Sequence, residues 1–525
     1  MLLFYALLPI ILIIILMGFF SWPAKKTMPL AAILAIILSI VFWKMSPNWI
    51  IASSIKGTLT AFNIMLIIFG ALSLMYIIKA TKLMDIIIED FKILTPDSRL
   101  QTIIIAWLFV AFLEGIAGFG TPAAITAPLL LILGFPVLAA VSLPLIFDTI
   151  PVTFGAVGVP ITIGLKTSVP ALTAQNLHQI GIYSSIFHSI IALSFPLLIL
   201  GFMTKFFSKE KSFLLGLKAW KLALISSISF IIPYFLAAYF LGPELPTILG
   251  SLISLAIIIT LIHKRIFLPK KPWSFNKKVK YSNKKINVKK SIIAWSPYVA
   301  ASALLVITRI PSLSTLIKKV SINYNNIFST SLTYNLEILH SPGVILLVVA
   351  ILTAYILKLK TSKIINNLKQ VFYKILPASI ALIFTIILVQ IMINTNNNLT
   401  NYDSMLLLPA KSLSELVGVS WLFFSPFIGG LGSFISGSNT VSNLLFGFFQ
   451  YNMAEGLGLS IILVLSLQAV GGAIGNMICI HNIVAACTTV NYLGNEGKVF
   501  RANIIPFLIY TTTIGLLGLL AFFII

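Results

Sequence analysis

Two acidic residues, Glu114 and Asp148, stand inside segments that are otherwise apolar. An ionised carboxylate is expensive in hydrocarbon, so such residues are rare in membrane segments and often serve as proton relays. The structural alternative is that Glu114 is bound to a nearby donor and that Asp148 caps a helix at the interface. We expect both to be proton-coupling residues, with Glu114 the first candidate and Asp148 and His481 its rivals.

Glycine and proline interrupt the apolar chain beside both acids. One interruption runs from Glu114 to Pro122 and the other from Asp148 to Pro160. Unwound backbone at membrane depth persists only against a cavity or packed protein. Its free N–H groups, with the N-terminus of a following helix, can hold an anion. The expected anion-binding positions are Gly118, Gly120 and Thr121.

Two later segments add neutral polar groups. Residues 432–443 contain seven Ser, Thr or Asn residues. Residues 471–482 end with His481 and Asn482. Hydroxyls and amides can bind a carboxylate without a net charge, and a histidine can bind substrate or carry a proton near neutral pH. The alternative is hydrogen bonding between packed helices. The candidate substrate-binding side chains are Ser436, Ser438, Asn439, Thr440, Asn476 and His481.

The elements that must position these residues are membrane helices. The chain has 525 residues, 59% of them hydrophobic and 9% charged, and a mean hydropathy of +1.05. A soluble protein would carry about 25% charged residues. Continuous apolar runs exclude an aqueous enzyme, a nucleic-acid binder and a membrane β-barrel. The predicted fold class is an all-α polytopic membrane protein with about 12–14 transmembrane helices, some discontinuous or re-entrant.

Uninterrupted apolar runs mark most of these helices. Two further apolar regions, 118–165 and 411–490, are broken by Gly, Pro and Ser and hold every candidate site residue except Glu114. The uninterrupted runs are 3–20, 28–46, 58–78, 102–117, 179–203, 215–241, 246–263, 291–309, 343–359, 375–393 and 503–525.

The net charge of +23 comes from short basic loops between the apolar runs. The positive-inside rule places these loops in the cytoplasm and therefore both chain termini outside the cell membrane. The loop Lys264–Lys290 is interpreted as a solvated segment that touches anionic lipid headgroups, not nucleic acid. The basic loops are 24–26, 79–99, 205–221, 264–290, 358–374 and 498–501.

An internal repeat gives the domain organisation. Residues 112–119 align with residues 427–434 at an offset of 427 − 112 = 315, and the neighbouring helices follow at about the same offset. The predicted units are a first repeat over 1–205, a connecting helix pair over 206–290 and a second repeat over 291–525. Loop charge gives the repeats opposite orientations. Inverted repeats with broken apolar segments at matching positions are typical of secondary transporters.

The broken segments resemble the L-lactate permease family, whose members carry lactate and glycolate with protons. The resemblance is carried in family order by 112–120, 151–160, 242–246, 294–297, 434–443 and 471–478. The chain departs from the best-known members by having Asn439 in place of Asp, Asn476 in place of Lys and His481 in place of Gln. Loss of one acid and one base together indicates a replaced charge pair, because keeping one would strand a buried charge.

The resemblance implies a proton symporter of small monocarboxylates such as L-lactate and glycolate, working by alternating access and not as an enzyme. The alternatives are a permease for another organic anion, possibly coupled to Na⁺, an anion channel, or a membrane enzyme for lipid-linked substrates. An ATP-driven pump would need a phosphate-binding loop that the sequence lacks. We expect no cofactor and no metal. Membrane lipid is the only other partner predicted, and the oligomeric state stays open.

Overall fold

The computed structural model describes residues 1–20, 22–118, 120–276 and 287–524. Within these ranges 12 helical stretches are long and apolar enough to cross a membrane, and three further apolar helices are shorter. This confirms the predicted all-α polytopic class. The lysines at 277, 278, 280, 284 and 285 of the basic loop lie outside the described residues.

The first part of the chain contains twelve α-helices and three π-helical stretches. The π-helical stretches are Ile14–Phe19, Thr102–Phe109 and Pro160–Leu165. The α-helices are α1 (Leu2–Ile13), α2 (Ala24–Val41), α3 (Pro47–Ala80), α4 (Leu83–Leu94), α5 (Ser98–Gln101), α6 (Val110–Ile116), α7 (Thr121–Ile132), α8 (Val137–Phe147), α9 (Thr149–Val152), α10 (Gly155–Val159), α11 (Lys166–Ser168) and α12 (Ala174–Phe206).

The connecting part contains five helices and a two-stranded antiparallel sheet. Its helices are α13 (Phe213–Leu217), α14 (Trp220–Leu241), α15 (Pro246–His263), α16 (Val288–Ile307) and α17 (Pro311–Lys318). Strand β1 (Ser321–Tyr324) pairs with β2 (Tyr334–Glu337) in the register Ser321 to Glu337. This hairpin and α17 lie between α16 and α18 in the chain.

The last described part contains eight α-helices and two short 3₁₀ turns, Gly418–Ser420 and Asn476–Ile478. A third 3₁₀ turn, Ile327–Ser329, lies between β1 and β2. The α-helices are α18 (Pro342–Ile356), α19 (Thr361–Asn394), α20 (Leu407–Val417), α21 (Trp421–Ser436), α22 (Asn439–Leu457), α23 (Ile461–Gly475), α24 (Ile480–Thr489) and α25 (Glu496–Phe522).

The order of helices repeats between the two halves. Helices α2, α3 and α4 have counterparts in α18, α19 and α20, and α3 and α19 both have 34 residues. Each half then has a helix that stops at a glycine break and restarts at once, α6 to α7 and α21 to α22. The boundaries 1–205, 206–290 and 291–525, and the opposite orientation inferred from loop charge, stay predictions.

Helices of the first half pack directly against helices of the second half. Helix α3 packs against α18 and α19, and α2 packs against α19. The approach of α3 to α18 needs small residues, because a Cβ on Gly70 would overlap the carbonyl group of Gly343. The four helices α2, α3, α18 and α19 thereby form one peripheral layer built from both halves.

The broken helices form the centre of the molecule. The hydrophobic window of Ser98–Ile116 is 100% buried and that of Val137–Ser168 is 89% buried, whereas those of Trp220–Leu241 and Val288–Ile307 are 33% buried. An apolar helix in which only a third of the residues are buried fits a lipid environment. The segments with Glu114 and Asp148 are therefore removed from lipid, whereas the window of Leu407–Ser436, which contains Ser436, is 44% buried.

One predicted basic loop, 79–99, is largely helical. Helix α4 buries Leu83, Met84, Ile87 and Phe91, a spacing that puts four apolar side chains on one helical face. Two predicted spans, 58–78 and 375–393, are only the apolar cores of α3 and α19, because the helices continue through polar turns that precede them.

A buried ion pair fixes the start of the first broken helix. The Arg99 Nη2 atom lies 2.6 Å from Asp97 Oδ2, and the two side chains are 1% and 3% exposed. Arg99 also donates to the carbonyl oxygens of Leu215 and Lys271 at 3.0 and 2.9 Å. The guanidinium group thus ties α5 to the segment after α12 and to the described start of the basic loop.

Replacing Arg99 by Leu should strongly destabilise the protein, because it leaves the Asp97 carboxylate buried without its cation. Breaking a buried pair in this way costs about 3–5 kcal/mol. We expect a clear drop in the unfolding temperature of the detergent-purified protein. Lys411→Leu is the control, because the Lys411–Asp403 pair is exposed and should contribute little. Equal shifts for both variants would contradict this role of Arg99.

Candidate functional site

The candidate site is a small cavity of about 20 Å³ between the two glycine breaks. A volume of this size holds about one water molecule. Five short elements contribute to its wall: the ends of α6 and α21, the starts of α22 and of the turn after α23, and the region α9–α10. The lining residues are Glu114, Gly118, Val152, Gly155, Ala156, Pro160, Gly437, Ser438, Asn439, Thr440 and Asn476.

The first break lies between α6 and α7. The last bond of α6 runs from the Gly118 N–H to the Glu114 carbonyl at 3.1 Å. Gly118 and Gly120 then adopt left-handed conformations with φ of +59° and +72°, which only glycine adopts at little cost. Thr121 opens α7, with its side chain outside the described part of the structure. Gly118 lines the cavity, whereas Gly120 faces the amide of Asn482.

The second break lies between α21 and α22. Gly437 has φ of +78° and ends α21, and Ser438 caps α22 by accepting the Val441 N–H at 3.4 Å. The Ser436 hydroxyl donates to the Gly432 carbonyl at 2.7 Å and does not line the cavity. Of the two predicted serines, the structure thus brings Ser438 to the cavity and uses the Ser436 hydroxyl within its own helix.

Two predicted amides lie on the cavity wall. Asn439 Nδ2 donates to the Ala469 carbonyl at 3.0 Å, and its Oδ1 is buried without a partner among the described residues. Asn476 Oδ1 accepts from Asn482 Nδ2 at 2.7 Å. Thr440 lies beside Asn439 and also lines the cavity. Both amides therefore connect helices and face the cavity at once.

The carboxyl group of Glu114 reaches the cavity from α6. Its Oε2 atom and the Oδ1 atom of Asp148 are buried without a hydrogen-bond partner among the described residues. The two carboxyl groups interact electrostatically, although Asp148 does not line the cavity. A Cβ on Gly155 would overlap Glu114 Oε1, so glycine at this position makes the room for the carboxyl group.

The region α9–α10 is strained beside the cavity. Ala156 and Val157 have φ of +44° and +58°, conformations that cost non-glycine residues of order 1–3 kcal/mol each. The next residue, Gly158, packs so closely on Pro243 and Glu244 that a Cβ would overlap them. Glu244 in turn pairs with Arg309. The two charges are 65 residues apart in sequence, so no local pattern indicates that they form a pair.

A buried histidine that sequence reasoning missed links the two halves. His188 Nε2 lies 2.7 Å from Thr153 Oγ1, and His188 Nδ1 lies 2.6 Å from the Tyr510 hydroxyl. Thr153 also donates to the Ala469 carbonyl at 3.4 Å, the same oxygen that accepts from Asn439. The only signal in the sequence was a histidine inside an otherwise apolar helix.

His481 lies next to the cavity and not in it. It is exposed at the start of α24 and lines a separate, larger cavity. The small cavity therefore brings together six of the predicted residues and leaves out Gly120, Ser436, His481 and Asp148. The six are Glu114, Gly118, Ser438, Asn439, Thr440 and Asn476.

The chemistry available at this site is hydrogen bonding and proton transfer. It combines the carboxyl group of Glu114 with three hydroxyl or amide side chains at the second break and the amide of Asn476. Among the described residues no group of three His, Cys, Asp or Glu side chains is placed to hold a metal ion. The arrangement is suited to a small polar or anionic molecule once the cavity widens.

Gly437→Ala should destabilise the protein more than Gly458→Ala. Both glycines are left-handed, with φ of +78° and +65°, and alanine in that conformation costs roughly 1–2 kcal/mol. At Gly437 the new Cβ would also lie 3.2 Å from Cys479 Sγ, whereas at Gly458 nothing lies within 4 Å. Unfolding temperatures in detergent provide the comparison, and equal shifts would show that the contact at Gly437 is unimportant.

Comparison with known proteins adds a family relationship over the whole chain. The sequence model described as L-lactate permease matches residues 3–525. The L-lactate permease of Salmonella typhimurium is 30% identical over 92% of this chain and 89% of its own length. The L-lactate permease of Bacillus subtilis is 30% identical over 90% and 87%. The glycolate permease GlcA of Escherichia coli is 28% identical over 98% and 94%.

Two solved transporter structures show a distant likeness. The YdaH transporter of Alcanivorax borkumensis has a TM-score of 0.48 at 10% identity, over 94% of this chain and 97% of its own. The efflux pump MtrF of Neisseria gonorrhoeae has a TM-score of 0.48 at 10% identity, over 94% of each chain.

Proposed function

Because the chain belongs to the L-lactate permease family, we propose that it is a secondary active transporter of small monocarboxylates such as L-lactate and glycolate. We further propose proton symport with alternating access. The observation that supports this best is the pairing of a carboxyl group without a partner, Glu114 Oε2, with a small cavity between two helix breaks.

The proposal assigns the substrate anion to the neutral wall of the cavity. The hydroxyls of Ser438 and Thr440 and the amides of Asn439 and Asn476 supply the donors. A carboxylate held by several neutral donors gains from each charge-assisted bond. Asn476 suits this role because its Oδ1 accepts from Asn482, which leaves the N–H donors of the same amide for an occupant.

The proton has a physical reason to travel with the anion. A carboxylate substrate brings one negative charge into an apolar interior that already holds Glu114 and Asp148, and burying an uncompensated charge is costly. Protonation of Glu114 from water on one side removes one of these charges as the anion enters. Release of both on the other side restores the starting state. Binding of the proton and of the anion would therefore favour each other.

The small volume of the cavity also supports alternating access. A three-carbon monocarboxylate has six non-hydrogen atoms and cannot occupy about 20 Å³, so the site must widen to load. An anion channel needs a continuous polar pore, and a cavity of this volume does not form one. A permease for another organic anion or with Na⁺ coupling is separated from this proposal by imposing pH and Na⁺ gradients one at a time.

The setting of the transporter completes the proposal. We place it in the cell membrane as a multi-pass protein with both termini outside, in contact with lipid around the exposed helices α14 and α16. The repeats 1–205 and 291–525 would move relative to each other about the cavity, with 206–290 as the connection. Asp148 and His481 are the rival proton carriers, and the buried His188 is a further candidate.

Glu114→Gln should abolish proton-driven accumulation of labelled lactate in proteoliposomes and preserve lactate exchange between preloaded compartments. Glutamine mimics the protonated acid, so the anion can still bind while the proton cannot leave. The control is Glu455→Gln, an exposed carboxyl group on α22 that should leave both assays unchanged. Accumulation by Glu114→Gln under an imposed pH difference would move the proton site to Asp148.

Asn476→Ala should weaken the apparent affinity for lactate by about one to two orders of magnitude. A hydrogen bond to a charged group contributes roughly 1.5–3 kcal/mol. The matched control is Asn452→Ala, a buried amide that bonds to Phe448 within its own helix. Ser436→Ala should also have little effect, since Ser436 does not line the cavity. Equal KM values for Asn476→Ala and both controls would refute binding by this amide.

A further inference from the structure

A second cavity adjoins the small cavity. It has a volume of about 270 Å³, more than ten times the roughly 20 Å³ of the site itself. Its wall is formed by His481 and Val484 of α24, by Phe434 near the end of α21, and by Met17 and Pro23 of the N-terminal region. Its size is sufficient for a small organic anion with some of its water.

The wall between the two cavities is thin. Gly437 lines the small cavity, and a Cβ on it would lie 3.4 Å from the Cβ of His481, which lines the outer cavity. Asn482 joins the wall by donating to Asn476 Oδ1 at 2.7 Å and to the Gly437 carbonyl at 3.5 Å. A Cβ on Gly437 would also lie 3.2 Å from Cys479 Sγ. Gly437 and its neighbours His481, Asn482 and Cys479 thus lie where the two volumes approach each other.

The outer cavity is mainly apolar and offers an anion one polar side chain, His481. The His481 ring makes no hydrogen bond among the described residues, and the residue is exposed. Lys25 and Lys26 do not line the cavity, but they follow Pro23 of its wall by two and three positions and are both exposed. Exposed basic side chains attract anions and raise their local concentration.

We propose that this cavity is an outer binding station for the monocarboxylate and that Asn482 with Gly437 forms the gate between it and the small cavity. The proposal rests on the transport function proposed above and adds the route. His481 contacts the waiting anion. Movement of Asn482 away from Asn476 then joins the cavities and exposes the Asn476 amide to the carboxylate. The loop 24–26 would place this station on the cytoplasmic side.

The chain contains its own reporter for this gate. Cys479 is buried at the wall, and Cys487 is the only other cysteine. In a Cys487→Ala background in proteoliposomes, the modification rate of Cys479 by the anionic reagent 2-sulfonatoethyl methanethiosulfonate measures passage through the outer cavity. We expect His481→Trp and Val484→Trp to slow modification several-fold, because either indole fills the cavity. Ile186→Trp and Ile190→Trp, both on an exposed face of α12, should not.

The experiment distinguishes a failure of the proposed route from a failure of the proposed substrate. Equal modification rates in the two cavity-filling variants and the two controls would overturn the proposal, as would a Cys479 that is never modified. Uptake of labelled lactate is measured with the same vesicles before any modification. If lactate is not transported while the dependence on His481 and Val484 persists, the route stands and the substrate assignment falls.

Discussion

The structure depends on the cost of placing carboxyl groups where neither water nor a cation can compensate them. Glu114 and Asp148 are 3% and 2% exposed, and no ion pair joins either of them to a described Lys, Arg or His. Two such acids cannot both be charged at low cost in a low-dielectric interior. Gly155 makes room for the Glu114 carboxyl group, and the neutral amides and the small cavity surround it. These surroundings tolerate one charge at a time and leave no space for bulk water.

The backbone around these acids is held in unusual conformations by the packing of both halves. Left-handed Ala156 and Val157 persist because Gly158 is packed against the Pro243–Glu244 turn. The carbonyl of Ala469 accepts from both Asn439 and Thr153, and Thr153 is connected through His188 to Tyr510. Polar bonds therefore run from the cavity across the molecule, so opening the cavity must break or shift some of them together.

The fold class and most of the cavity wall could be predicted from the sequence because apolar runs, glycine breaks and intramembrane polar residues are local signals. Six of the predicted residues meet at one cavity. The use of Ser436 within its own helix and the place of His481 outside the cavity depend on side-chain direction, which spacing does not define. His188 and Tyr510 are 322 residues apart in sequence, so their contact leaves no local signal. Helix α4 was not predicted because charged residues lie between its apolar positions.

The central claim is that an anion and a proton cross together, and simultaneous measurement of both in proteoliposomes tests it most directly. Lactate is supplied at a higher concentration outside the proteoliposomes than inside, without a pH or Na⁺ gradient. Internal pH is followed with a trapped dye while the uptake of labelled lactate is measured in the same vesicles. Protein-free liposomes correct for diffusion of undissociated acid. The account predicts internal acidification in proportion to lactate entry, in the absence of Na⁺ and unaffected by membrane potential. Lactate entry without acidification, or entry that requires Na⁺, would contradict it.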